Sequence, residues 1–153
     1  MKIILILVIV LASSLIGVFV YLSCNSKKNI YKNLIDFCDY SLLEIKFNKA
    51  NFRKIIERYL KNCNFEVKNY LNAYLERKTY SSKVLKTEEN IVIANFLSSI
   101  GTKDVDGEVD NLNKYKEFFK LSFEKAQEEE KKRGITSLKI SIVLGLLFAI
   151  ILI

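Results

Sequence analysis

The chain has 153 residues and carries 24 Lys and Arg against 17 Asp and Glu, a net charge of +7, with no histidine, proline or tryptophan. Without histidine the commonest general acid-base group is missing, and glycines scattered singly exclude a glycine-rich phosphate loop. Cys24, Cys38 and Cys63 stand far apart with no CxxC pair, which leaves zinc and dithiol redox chemistry unsupported and reads as small buried hydrophobes.

The chain opens MKIILILVIVLASSLIGVFVYL, an apolar run over residues 3–22. That is about the twenty residues an α-helix needs to cross a hydrocarbon core. Its polar interruptions are Ser13 and Ser14, whose hydroxyls can bond back to carbonyls one turn earlier. A second apolar run covers residues 138–153, within a span taken over 136–153, with Lys139 placed to snorkel toward headgroups. Both runs read as transmembrane helices, with the small residues Ser13, Gly17 and Gly145 as the candidates for helix packing. Lys27, Lys28 and Lys32 follow the first run, and Lys131, Lys132 and Arg133 precede the second. By the positive-inside rule the intervening domain is cytoplasmic and both termini lie outside. The alternative is an exported, lipoprotein-like surface binding module processed at Cys24 in YLSC. Against it, Tyr21 stands where an aliphatic residue is usual, and the apolar run exceeds a signal h-region.

Residues 25–134 are polar and charged, a stretch of about 110 residues that suits one small domain. Its apolar spacing is helical throughout, so the expected fold class is all-α: an antiparallel helical bundle flanked by the two terminal helices. Ile30, Leu34, Phe37, Ser41, Leu42 and Ile45 form one face of a first helix, continuous with the first span. Asn51 caps a second, facing inward through Phe52, Ile55, Ile56, Tyr59, Leu60 and Cys63. Asn64 caps a third, with Glu66 in its first turn and a stripe of Val67, Tyr70, Leu71, Tyr74 and Leu75.

Residues 77–86 break the periodicity and read as a loop. Thr87, Glu88 and Glu89 start a fourth helix with Ile91, Ala94, Asn95, Leu97 and Ile100 inward, and Gly101 stops it. A long helix then runs from near Val105 toward Lys132, its seam made of Val105, Val109, Leu112, Phe119, Phe123 and Ala126, with Lys116 breaking the series. Gly134 reads as a flexible joint before the second span. Charge divides at Thr87: the part before it is strongly basic, suited to anionic lipid or an acidic partner. No nucleic-acid motif accompanies that charge.

Asp104, Asp106, Glu108 and Asp110 around Gly107 suggest a calcium loop. Gly107 in the sixth place puts Thr102 where Asp is required and Asn113 where a bidentate Glu is required. The better reading is a helix start, with Asp104 or Asp106 accepting from the first free amides. No cofactor motif and no catalytic motif is present, and the chain reads as a non-enzyme.

Four segments together resemble the stage III sporulation protein AB family: LASSLIG at 11–17, LLEIKF at 42–47 with Glu44 and Ile45, FLSSIGTKDVDGE at 96–108, and GLLFAIILI at 145–153. In the third, Phe96, Gly101, Asp104 and Gly107 match the family's Phe-Gly-x-x-Leu-Gly-x-x-Asp-x-x-Gly-Gln signature, with Leu97, Ile100 and Glu108 replacing glycine, leucine and glutamine. The resemblance implies a non-enzymatic membrane component of the mother-cell complex of AA to AH proteins, similar to the platform protein of type II secretion. It implies membrane lipid and an AA-type ATPase as partners, and admits self-association. Glu44, Ile45, Phe96, Gly101, Asp104, Gly107 and Glu108 are then the residues expected at the partner-docking surface.

Overall fold

A computed structural model of the chain describes residues 2–48, 51–61, 63 and 65–152; within the helices, the side chains of residues 2–7, 9, 10, 48, 65, 148, 149, 151 and 152 lie outside the description. All regular structure among the described residues is helical: α1 (Lys2–Asn48), α2 (Phe52–Tyr59), α3 (Phe65–Leu75), α4 (Thr87–Ser99), α5 (Val105–Glu129), a π-helical turn (Glu130–Gly134) and α6 (Ile135–Leu152). The chain divides into two compact units, Asn29–Phe123 and the pair Met1–Lys28 with Glu124–Ile153.

The Asn29–Phe123 unit is built round aromatic side chains. Phe37 of α1 meets Phe52, Tyr59 and Phe96 with ring centroids 5.1–6.3 Å apart, mostly edge to face. Phe96 in turn packs edge to face on Phe119 at 5.2 Å. Each such ring removed from water stabilises by roughly 1.5–3 kcal/mol, with a further contribution from the edge-to-face geometry. The α1 stripe of Ile30, Leu34, Phe37, Ser41 and Ile45 is buried as the spacing requires. Tyr31 lies near Phe119 and Asp39 pairs with Lys116, so α1 and α5 run antiparallel in this unit. That pairing also accounts for Lys116 in the apolar seam.

Helix starts follow local chemistry. The side chain of Asn51 accepts the N–H of Arg53 at 3.2 Å and begins α2. Glu89 accepts the N–H of Lys86 at 2.8 Å, closing the first turn of α4. The cap expected at Asn64 lies outside the described residues.

Three expectations are corrected. On α4 the buried positions are Asn90, Ile93, Phe96 and Leu97, followed by Ile100, while Ile91, Ala94 and Asn95 are exposed. The inward face is rotated by about one residue because Phe96 must reach the aromatic core and Asn90 is held by hydrogen bonds. Val105 at the head of the α5 seam is exposed, and polar Glu108 and Asn111 are buried in its place. Gly134 is no joint: it sits inside a continuous helical run, buried, where a β-carbon would stand 3.4 Å from Tyr21 and 3.6 Å from Cβ of Cys24.

In the unit formed by Met1–Lys28 and Glu124–Ile153, α1 and α6 also pair antiparallel. Gly17 faces Leu138 and Ser141, and Tyr21 and Cys24 face Gly134. Lys27 and Lys28 then pair with Glu129 and Glu130 at 3.1 and 2.6 Å. Small residues face inward while Leu15, Ile16, Phe19, Val143 and Leu146 point outward and exposed. Among the described residues no helix is long and apolar enough to cross a membrane. The spans expected over 3–22 and 136–153 run through positions outside the description at both ends of the chain.

Candidate partner-docking site at the α4–α5 turn

The turn between α4 and α5 is assembled from its own backbone and from two buried side chains. Ile100 is extended, at ψ 143°, and Gly101 follows at φ 75° in the left-handed region. The Thr102 hydroxyl donates back to the Ser99 carbonyl at 2.9 Å, and the Ser99 hydroxyl donates to the Phe96 carbonyl at 2.8 Å. Asn111, in the second turn of α5, donates to the Ser99 hydroxyl at 3.0 Å. The Phe96 and Ser99 carbonyls at the end of α4 are thereby satisfied.

Glu108 ties the two helices together. Its Oε1 accepts the Gly101 N–H at 2.9 Å, and its own N–H donates to the Asp104 carbonyl at 2.8 Å. The residue is only 4% exposed, and its second carboxylate oxygen, Oε2, is buried with no hydrogen-bond partner. At Gly107 a β-carbon would stand 2.7 Å from the Asp104 carboxylate, an exposed side chain that can move aside.

Above this turn lies an open pocket of about 330 Å³ whose walls include Ile45, Phe52, Gly101, Lys103, Val105 and Glu108. Of the residues expected at a docking surface, Ile45, Gly101 and Glu108 meet in this pocket. Asp104 is exposed beside Gly107. Phe96 is fully buried in the aromatic core, so it shapes the turn from beneath. Glu44 points elsewhere and accepts from Arg58 at 2.9 Å. Among the helix-packing candidates, Gly17 lies against α6 and Gly145 is buried, while Ser13 is half-buried. Among the described residues no group of His, Cys, Asp or Glu is arranged to hold a metal ion.

Two features escape the sequence reading. Phe52, Lys103 and Val105 line the pocket, although their spacing signals only core, loop and seam. The second is the network round Asn90, which fixes the loop over residues 77–86. Asn90 Oδ1 accepts the Tyr70 hydroxyl and the Ser82 N–H, the latter at 2.8 Å, while Nδ2 donates to the carbonyls of Ser82, Leu85 and Lys86 at 3.1–3.2 Å. Burial raises the Tyr70 hydroxyl to about 12. A larger groove of about 440 Å³ lies between α3 and α4, but the hydroxyls of Tyr70, Tyr74 and Tyr80 on its wall are all engaged within the protein.

Comparison with curated proteins and with solved structures gives no match. Residues 76–153 match the model of the family described as stage III sporulation protein AB. The matched half holds α4, the signature turn, α5 and α6, and the chain belongs to the stage III sporulation protein AB family.

Proposed function

We propose that this sporulation-family chain is a non-enzymatic platform component of a trans-envelope secretion or channel complex, held in the mother-cell membrane around the forespore. Its Asn29–Phe123 unit works in the cytoplasm, where it docks an AA-type ATPase and couples it to the membrane assembly. The observation that carries this reading is the family match, whose residues include the signature turn, which forms one side of the pocket, and the apolar helix α6.

The α1–α6 pair supports membrane insertion. Its outward residues are large and apolar, whereas its inward contacts are made by Gly17, Ser141 and Gly134, the close small-residue packing found between membrane helices. Residues 3–22 and 136–153 supply the full apolar lengths from the sequence. The helix of α5 continues through the π-helical turn into α6 without a break, a suitable path for coupling.

The test is a topology reporter inserted at Ser81, in the exposed loop, together with co-purification of the ATPase from sporulating cells. Reporter activity on the cytoplasmic side and recovery of the ATPase are expected. Activity confined to the outer side would overturn the reading. An intact mass that retains Met1 excludes processing at Cys24.

A further inference from the structure

A carboxylate oxygen buried without a partner is costly, more so than an ordinary polar group. Glu108 Oε2 is in that position, while Oε1 has room for a second donor beside the Gly101 N–H. Glu108 forms part of the pocket wall, so a donor entering there can relieve the unpaired oxygen. Asp104, Asp106 and Asp110 are exposed on the turn and the start of α5, outside the pocket's lining. Lys103, also exposed, flanks the pocket without forming an ion pair to another described residue and is free to swing aside. Ile45, Phe52 and Val105 supply an apolar wall. The volume lies at the small end of ligand sites, room for one long side chain rather than for a helix.

We propose that this pocket receives a single arginine side chain of a partner protein, its guanidinium pairing with both oxygens of Glu108 and its aliphatic stem lying on Phe52 and Val105. A guanidinium is matched to the task because its planar fork meets a carboxylate with two parallel bonds and is weakly hydrated. The identity of the partner rests on the docking reading above; the chemistry of the pocket does not.

The Gly101 amide bonds to Glu108, so its nuclear magnetic resonance reports occupancy. The full chain, labelled with nitrogen-15 in detergent micelles, is titrated with N-acetyl-arginine methylamide and with its citrulline analogue, which has the same shape and no charge. A saturable shift of the Gly101 amide is expected with the arginine derivative alone, lost in Glu108→Gln. That variant keeps the acceptor to Gly101 and turns the other position into a donor, and its amide spectrum away from the turn checks that it is folded. Lys103→Glu, on the exposed rim, tightens the arginine derivative about threefold. Equal shifts with citrulline, a shift that survives Glu108→Gln, or a response to calcium or magnesium with arginine silent each overturn the proposal. In a second arm the purified ATPase is bound to both forms, and at least about tenfold weaker binding to Glu108→Gln is expected. Equal binding removes the pocket from the interface and leaves docking standing. No binding to either form, with the Glu108-dependent arginine shift present, removes the ATPase and leaves the pocket.

Discussion

Gly101, at φ 75°, would hold a β-carbon only 3.1 Å from Cβ of Phe52. Two penalties therefore meet at one position: the left-handed backbone and the crowding against a buried ring. Gly101→Ala is expected to destabilise the Asn29–Phe123 unit by about 1–3 kcal/mol, read by denaturant unfolding followed with circular dichroism. Asparagine tolerates the left-handed region, so Gly101→Asn isolates the steric part and should fall between wild type and alanine. Equal stability of all three forms would show that the turn adopts another backbone.

Gly101 was legible because its conformational freedom is local chemistry, and so were Asn51 and the start of α4. The α1 stripe was legible because its inward positions are nearly all apolar. On α4 and α5 the apolar pattern points the wrong way at particular residues. Asn90, Glu108 and Asn111 face inward yet are polar, and what places them is hydrogen bonding to groups far away in sequence. A pattern of hydrophobicity carries no record of such partners. Gly134 misled for a related reason: it suggests flexibility by type, whereas it lies buried inside a continuous helical run beside Tyr21 and Cys24. The signature residues were found by resemblance, but the pocket that Ile45, Gly101 and Glu108 share with Phe52, Lys103 and Val105 depends on tertiary packing alone.

Asn90 holds the loop over residues 77–86 by four hydrogen bonds to the backbone of Ser82, Leu85 and Lys86. Asn90→Ala leaves the buried Ser82 N–H only the Tyr70 hydroxyl at 3.2 Å in place of its acceptor at 2.8 Å, and is expected to cost about 1–3 kcal/mol. Tyr70→Phe removes one hydroxyl from the same network and should cost less. Hydrogen exchange at the Ser82 amide distinguishes the two: acceleration is large for Asn90→Ala and small for Tyr70→Phe.

The two glycines of the α1–α6 pair predict opposite responses to the same substitution. At Gly17 a methyl group would collide with the Ser141 hydroxyl and stand 3.0 Å from the backbone Cα of Leu138. At Gly134 the nearest atoms are 3.4–3.6 Å away, an ordinary contact, and alanine prefers a helical interior by about 1 kcal/mol. Gly134→Ala should therefore keep or raise the melting temperature of the full chain in detergent, while Gly17→Ala lowers it. Spin labels at the exposed positions Phe19 and Ile140 should show a broadened distance distribution for Gly17→Ala only.

Alkaline pH should weaken the Asn29–Phe123 unit through Cys38. Burial raises this thiol from 9.0 to about 12; the Asp39 carboxylate adds to the rise and Lys116 opposes it. Because the folded value lies above the unfolded one, the protonated thiol contributes stability in full below about pH 9. That contribution is lost as pH rises through 9 toward 12. Tyr70 acts in the same direction between 10.0 and about 12, again chiefly through burial, with the Ser82 amide opposing. Cys38→Ala removes one of these groups, so the midpoint of its alkaline unfolding should move upward relative to its own neutral-pH stability. An alkaline profile identical to wild type would show that Cys38 does not titrate on unfolding. At pH 8 the same burial makes Cys38 slow to react with iodoacetamide, and the half-buried Cys63 should be alkylated before it in the native protein.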